Sequence, residues 1–385
     1  MPINKVEKLF EELEEKQVKA SRLGWVQYTT GYDFGIEEAY KEITDFLEDE
    51  KSYEIILKSR EEDLDLVNKR KMEIAYNTFK PFHLSKELNE ISLEIRKKTN
   101  ELSKILNTFR FNIDGKEISS VEIDQILSSE EDRDLRKKAY FARNQINKPL
   151  ADGGFIELIN LRKEFAKAYG SKDYVEYGLK QDELSPGIFN NWDKGIKEYA
   201  DILNDKRSRY ANKFLNEDEM FFWDEGYIKS KISPSLNATV DMSNYYNVIR
   251  GFFMNFGIDI DKYNITYDIF LRKNKSEWGY NFPIETRKDS RILANVKNRY
   301  NEYRVLLHET GHGVHSFLQD PKEILLNNGI SGIVTEGIAN LFGSFLYDEL
   351  FYKNFFDNGV EEEFKEMAGY EKLNYLRFVG NIFFD

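Results

Sequence analysis

Residues 304–318 have the sequence RVLLHETGHGVHSFL, and the rest of the chain is interpreted from this stretch. His308 and His312 are four residues apart, so on a helix their side chains lie on one face, one turn apart. Two neutral imidazoles in this arrangement can hold one zinc ion, and Glu309 beside them can take a proton from water. The stretch therefore predicts a helix that carries a zinc-dependent hydrolytic site.

The same stretch also carries an apolar stripe. Leu307, Gly311, Val314 and Leu318 follow one another at spacings of 4, 3 and 4 residues, which predicts a helix face that packs into the core. Gly311 lowers the helix propensity by about 1 kcal/mol relative to Ala. We interpret it as room for a closely packed element, and a loosely formed helix is the alternative.

A catalytic zinc site takes three protein ligands, and Glu336 is the candidate for the third. It lies in the otherwise apolar segment 333–343, where a buried carboxylate is costly unless a cation compensates it. A partly exposed carboxylate at the start of a helix is the alternative. His315 is about 10.5 Å along the helix axis from His308, so we expect it at the wall of the site. Asn340, one turn after Glu336, is expected to orient a ligand.

Most of the chain shows the three-and-four spacing of apolar residues that is typical of amphipathic helices. Such segments lie near residues 4–20, 36–51, 53–78, 86–107, 130–147, 151–169, 188–215, 299–318 and 333–352. Proline and glycine residues separate several of them. The pattern predicts a mainly α-helical protein.

The exception to the helical pattern lies between residues 264 and 298. Residues 265–269 and 291–296 are predicted to be short strands, and the segment 278–283 between them is rich in turn residues. An exposed strand edge can bind an extended peptide by backbone pairing. We therefore expect 291–296 to be an edge strand of a small antiparallel sheet, with the backbone of Ala294 or Asn295 free for a substrate. An ordinary structural hairpin is the alternative.

Composition restricts the partners and the location of the protein. The 55 basic and 68 acidic residues give a net charge of 55 − 68 = −13, which argues against nucleic acid or an anionic membrane as a main partner. The chain has no cysteine, so it has neither a disulfide framework nor a thiolate nucleophile. It shows no apolar signal stretch and no run of about 18 apolar residues. We predict a cytoplasmic protein without a membrane span.

At these residues the chain resembles the thimet oligopeptidase and oligoendopeptidase family of zinc metallopeptidases, which are of the gluzincin type. That family has a His-Glu-x-Gly-His-x-x-His helix and a glutamate ligand nearly 30 residues after the first histidine, and here 336 − 308 = 28. Residues 291–295 resemble the strand before its metal helix, and 134–140 and 161–170 resemble its helical lobe. The angiotensin-converting-enzyme family is a close second, and His315 favours the first.

The resemblance implies a mainly α-helical, two-lobed, zincin-like peptidase with a small antiparallel sheet beside the metal helix. We place the N-terminal helical lobe at residues 1–185 and the catalytic, zinc-binding lobe at 186–385. A channel between two lobes implies cleavage of short peptides. The resemblance also implies that His308, His312 and Glu336 hold one zinc ion per chain and that Glu309 is the general base.

The chain departs from the family pattern after the third ligand. Members usually continue well beyond this point, and their later region supplies tyrosine and histidine side chains that stabilise the tetrahedral intermediate. Here 385 − 336 = 49 residues follow Glu336. We expect a C-terminally short chain that binds zinc but turns over peptides poorly, with apolar residues at 378–384 exposed. Tyr370 or Tyr375 is a possible local substitute for the missing donors.

The sequence favours a zinc endopeptidase that acts on oligopeptides. One rival is a metal-binding, catalytically weak fragment or pseudoenzyme that binds peptides. Another is a carboxypeptidase on the same scaffold, which needs a cationic or polar group for the free carboxylate of its substrate. Neither side-chain preference nor oligomeric state follows from the sequence.

Overall fold

The computed structural model describes residues 2–185, 187, 190–276 and 279–384. Within these ranges the side chains at positions 2, 107, 192–193, 195–196, 198–200, 373 and 375–384 are outside the description. The expected exposure of apolar side chains at 378–384 thus lies outside the described residues. The chain is mainly α-helical with two small sheets, which confirms the fold class predicted from the sequence.

The described part of the chain forms α-helices that are numbered here in chain order. They are α1 (Pro2–Thr30), α2 (Ile36–Leu47), α3 (Glu50–Arg60), α4 (Leu66–Phe79), α5 (Lys86–Thr108), α6 (Ser120–Ser129), α7 (Arg133–Ala142), α8 (Asn147–Asp152), α9 (Phe155–Tyr169), α10 (Tyr174–Gln181), α11 (Trp192–Leu215), α12 (Glu225–Ile232), α13 (Pro234–Ala238), α14 (Tyr245–Met254), α15 (Glu302–Leu318), α16 (Ile324–Asn328), α17 (Gly332–Ser344), α18 (Glu349–Phe355) and α19 (Glu361–Phe384). The strands are β1 (Phe111–Ile113), β2 (Lys116–Ile118), β3 (Ile265–Asp268), β4 (Tyr280–Glu285) and β5 (Asp289–Leu293).

Side-chain caps begin several of these helices. The carboxylates of Asp49, Asp65 and Asp132 accept hydrogen bonds from main-chain N–H groups in the first turns of α3, α4 and α7. Ser119 and Glu122 form a reciprocal capping box at the start of α6. Each cap satisfies a donor that has no partner within its own helix, which explains why these helices begin where they do.

The chain divides into two compact units, and each unit is built from two separate stretches. The first unit comprises Met1–Leu84 and Asn237–Asp357, and the second comprises Ser85–Leu236 and Asn358–Asp385. The boundary predicted between residues 185 and 186 coincides with none of the points where these stretches meet, which lie at 84/85, 236/237 and 357/358. Periodicity locates helices along the chain, but it does not reveal that helices distant in sequence share one core.

The core of the first unit shows why its two stretches belong together. Val6, Phe10 and Leu13 of α1 are buried with Phe79 of α4, and Leu325 of α16 packs into the same cluster. Burying such side chains contributes roughly 1.5–3 kcal/mol each. The N-terminal helices are therefore held against the segment that follows α15.

A mixed three-stranded sheet lies in the first unit, with the strand order β3-β5-β4. β5 pairs in parallel with β3 and antiparallel with β4, so the sheet is not wholly antiparallel as the sequence had indicated. The long segment between β3 and β4 returns the chain, and β5 then runs in the same direction as β3. The predicted sheet is therefore present, but its strands pair differently.

The expectation that residues 291–296 form a free edge is wrong. Both edges of β5 are paired, and the N–H of Ala294 donates to the carbonyl of Asp268 at 2.9 Å. The carbonyl of Ala294 accepts from Nζ of Lys275, and the Asn295 side chain donates to the carbonyl of Ser276. The outer strands are β3 and β4, and β4 contains Pro283. Proline is confined to edge strands and bulges because it cannot donate to a ladder, so this residue was the available signal.

The second unit has a separate core. Residues of the β1–β2 hairpin are buried with residues of α6 and α7, among them Phe111, Ile118, Ile123 and Ala139. Within the part of the chain that is described, no helix has the length and the apolar character needed to cross a membrane.

Candidate metal centre

The central helix of the candidate site is α15, which carries His308, Glu309 and His312. Leu307, Gly311 and Val314 are buried as predicted, whereas Leu318 is 62% exposed. A Cβ atom on Gly311 would lie 2.9 Å from Cδ2 of Phe342 on α17. The glycine therefore provides the room for a closely packed element that the sequence indicated.

Both imidazoles of α15 face the carboxylate of Glu336 on α17. Nε2 of His308 is 3.5 Å from Oε2 of Glu336, and Nε2 of His312 is 3.4 Å from Oε1. The Glu336 side chain is 59% exposed, so the apolar segment around it does not bury it as expected. The structure nevertheless brings the three residues predicted as ligands together, although they belong to two helices.

The distances among these atoms fit a metal ion. Zinc bonds of about 2.0–2.1 Å in a tetrahedron place neighbouring ligand atoms about 3.3–3.4 Å apart. The separations of His308 and His312 from Glu336 are each close to this value, and they end on the two different oxygens of its carboxylate. One atom each from His308, Glu309 and His312 also lies within 4.8 Å of the others. Two imidazoles and a carboxylate form a donor set that suits zinc and leaves a position open.

The electrostatic environment keeps the two imidazoles neutral. Burial lowers the pKa of His308 to about 4, and the neighbouring His312 lowers it further. Burial also lowers the pKa of His312. Neutral imidazoles have a free nitrogen lone pair at neutral pH, which is the form that binds a metal.

Glu309 lies beside these rings and is only 8% exposed. Burial raises its pKa to about 7, and the charge of Glu336 acts in the same direction. Hydrogen bonding by the main chain of Asn281 offsets part of this shift. A carboxylate with a pKa near the working pH is suited to accept a proton and to release it again.

The other residues predicted for the site lie in different parts of the structure, and only some of them are near the candidate ligands. The Asn340 side chain interacts with the His308 ring and accepts from Nη2 of Arg304 at 3.4 Å, while Nδ1 of His308 is buried without a well-aligned partner. His315 lines the cavity beside the site, as expected. Tyr370 is buried against Tyr210 in the second unit, and the side chain of Tyr375 lies outside the described residues.

A cavity of about 580 Å³ opens beside the metal centre within the first unit. Its wall includes Glu14, Gln17, Val18 and Ser21 of α1, together with residues of β4, α15, α16 and α17. Sequence reasoning missed the α1 and β4 residues. No local pattern marks them, because they meet the motif helix only through the tertiary fold.

The charged side chains that line this cavity are mainly acidic. Its described lining contains the carboxylates of Glu14, Glu285, Glu309 and Glu336 and includes no Lys or Arg. Glu285 pairs with Arg22 and Lys288. The lining therefore offers a cationic group more favourable contacts than an anionic one.

The chain matches peptidase family M3 over residues 126–327. It is 26% identical over 313 residues to the mitochondrial intermediate peptidase of Arabidopsis thaliana, in a match that covers 64% of this chain and 43% of that protein. The chain thus spans less than half the length of this curated relative.

Two solved structures share the fold. An oligoendopeptidase F from Bacillus anthracis str. Ames has a TM-score of 0.67 and 17% identity, and the match covers 97% of this chain and 70% of that chain. PZ peptidase A, solved with an inhibitor, has a TM-score of 0.64 and 17% identity, and the match covers 98% and 73%. At this identity the likeness establishes the fold alone.

Proposed function

The chain belongs to peptidase family M3, and from this premise we propose that it is a zinc-dependent endopeptidase that hydrolyses short peptides. The observation that carries the proposal is the approach of His308 and His312 to the carboxylate of Glu336, with Glu309 buried beside them. In this proposal His308, His312 and Glu336 hold the metal, and Glu309 is the general base.

When bound, zinc supplies a Lewis acid for the attacking water and for the carbonyl of the scissile bond. The Glu309 carboxylate takes a proton from that water and passes it to the nitrogen of the leaving amine. Its low exposure and its raised pKa support both steps. The Asn340 side chain helps to orient the His308 ring in this proposal.

The peptide is proposed to lie along β4, and not along residues 291–296, which belong to the central strand β5 and the segment after it. β4 is an outer strand of its sheet, and Tyr280, Asn281, Pro283, Ile284 and Glu285 line the cavity. An extended peptide can pair with the backbone of such an edge. This arrangement would place a substrate at the outer edge of β4, beside the motif helix.

The charge of the cavity supports endopeptidase over carboxypeptidase action. A carboxypeptidase needs a group that holds the free carboxylate of its substrate. The described lining of the cavity offers polar side chains such as Gln17 and Asn328 but neither Lys nor Arg, and the carboxylates of Glu14 and Glu285 would repel a free carboxylate. Peptides without a free C-terminus nearby are therefore the better substrates in this proposal.

The test is cleavage of a quenched peptide that is blocked at both ends. We expect hydrolysis that a chelator abolishes and added zinc restores. Glu309→Gln should keep about one zinc per chain but lose at least about 100-fold in kcat, the lower end of the contribution of a general base. Equal activity of the wild type and the variant would remove Glu309 from the mechanism. Zinc binding without hydrolysis by the wild type would favour the peptide-binding alternative.

A cytoplasmic location stays a prediction.

A further inference from the structure

One side chain joins the proposed peptide edge to the proposed base. The Asn281 amide on β4 donates from Nδ2 to the main-chain carbonyl of Glu309 at 3.2 Å and to Oγ of Ser290 at 2.9 Å. The main-chain N–H of Asn281 also acts on the Glu309 carboxylate. Asn281 therefore links the outer strand, the central strand β5 and the motif turn of α15.

The space for this link depends on a glycine in α15. In a regular helix the carbonyl of Glu309 accepts a hydrogen bond from the N–H of Gly313, so the Asn281 amide is an additional donor to an oxygen inside the helix. A Cβ atom on Gly313 would lie 3.3 Å from Oγ of Ser290 and 3.6 Å from Nδ2 of Asn281. The helix thus lies close against the sheet at the turn that carries the base.

A second hydrogen bond between sheet and helix provides a comparison. The Tyr267 hydroxyl on β3 and Oγ1 of Thr310 are 3.0 Å apart. This bond also ties α15 to the sheet, one residue from Glu309. β3 lies on the far side of β5, however, and Tyr267 is not among the residues that line the cavity.

We propose that Asn281 is a positioning residue that sets the register between the peptide-binding edge of β4 and Glu309, an inference that rests on the proposed function. A peptide paired with β4 has its carbonyl placed by that strand, whereas the base is placed by α15. The Asn281 amide fixes the position of the peptide carbonyl relative to the Glu309 carboxylate. Tyr267 holds the helix without acting on the peptide.

The kinetic test compares Asn281→Leu with Tyr267→Phe in the full chain. Leucine has nearly the shape of asparagine but no donor, and phenylalanine removes only the hydroxyl. For Asn281→Leu we expect kcat to fall about ten- to hundredfold with KM changed less than about threefold, since a shift of about 1 Å can cost that much in rate. Tyr267→Phe should lower the melting temperature but keep kcat and KM within about twofold of wild type. Equal kinetic losses in both variants would reduce Asn281 to a structural role and overturn the proposal.

A readout without turnover separates this inference from the proposed function. In Asn281→Leu, amide hydrogen exchange should rise at residues 279–285 and 309–313 while zinc content stays unchanged. Tyr267→Phe should raise exchange at residues 265–268 instead. If Asn281→Leu fails to fold, Asn281→Ser takes its place in both measurements. Unchanged exchange at both segments would overturn the proposal even in an active enzyme. If the wild type cleaves no peptide, the proposed function falls, and with it the role of Asn281 in catalysis.

Discussion

Individual residues at the metal centre have separable roles. The imidazoles of His308 and His312 are kept neutral by burial, and the Glu336 carboxylate faces both. His315 is on the same helix and lines the cavity, but it lies two turns from His308. His315 is therefore expected to shape the cavity without holding the metal, whereas the proposed ligands do both.

Zinc affinity should distinguish these roles. Glu336→Ala should weaken zinc binding more than about 100-fold, because even the outer partners of metal ligands contribute 10–100-fold. His315→Ala should change the affinity little. Competition with a chromophoric chelator measures both. Unchanged affinity in Glu336→Ala together with loss of zinc in His315→Ala would exchange the two assignments.

At the scale of the elements, the close contact between α15 and α17 should limit which residue position 311 can accept. A Cβ atom on Gly311 would be 2.9 Å from Cδ2 of Phe342 and 3.1 Å from Cα of Ala339. Gly311→Ala should therefore destabilise the protein by about 1–2 kcal/mol, because overpacking outweighs the gain in helix propensity. Denaturant unfolding measures the change.

Gly337 on α17 is the matched control for Gly311. A Cβ atom there would meet nothing within 4 Å, and the residue is exposed. Gly337→Ala should stabilise the protein by about 0.5–1 kcal/mol through helix propensity alone. If both alanine variants were more stable than wild type, the helices would not be as close as described.

The cavity wall formed by α1 and β4 predicts a charge preference. Burial raises the pKa of Glu14, the neighbouring Glu285 raises it further, and Lys288 offsets part of this shift. Peptides with a Lys or Arg near the cleaved bond should have a kcat/KM about two- to fivefold above that of their Glu counterparts, the range of a partly exposed ion pair. The preference should weaken at high salt.

Glu14→Gln should reduce this preference. Glu15→Gln removes the same charge at an exposed position of α1 that does not line the cavity, so it is the control. The comparison is made with paired peptides that differ at one position. An equal loss of preference in both variants would mean that net charge, rather than the cavity wall, selects the substrate.

At the scale of the whole molecule, each unit needs its own long-range interactions. In the second unit the buried Arg136 of α7 donates to Asp224 at 2.9 Å and to the carbonyls of Glu130 and Glu131. Asp224 is fully buried and also pairs with Arg133. This network joins positions almost ninety residues apart in sequence.

Arg136→Met should destabilise the protein by about 2–3 kcal/mol, because two carbonyls lose their donor while the buried Asp224 carboxylate keeps Arg133 as a partner. Lys138→Met on the same helix breaks an exposed pair with Asp114 and should cost less than about 1 kcal/mol. Thermal or denaturant unfolding measures both changes. Similar small losses in the two variants would show that the buried pair is not needed.

The sequence by itself determined the local features of this protein. The four-residue spacing of His308 and His312 placed both rings on one helix face, because the helix period is a property of the local backbone. Gly311 indicated a close neighbour. Glu336 was predicted as a ligand because its carboxylate lies in an apolar segment, and the 28-residue spacing shared with a known family supported that prediction. Its role as a ligand stays a prediction.

Only the tertiary structure decided which surfaces meet. Residues 291–296 have the pattern of a strand, but the pattern does not state whether a strand is central or at an edge, and here β5 is central. Glu14 of α1 lines the cavity beside the candidate metal centre, and Asn281 of β4 contacts the motif helix, through packing that no local period encodes. The reason is physical. Periodicity reports which face of an element is apolar, whereas the partner of that face depends on contacts between residues far apart in the chain.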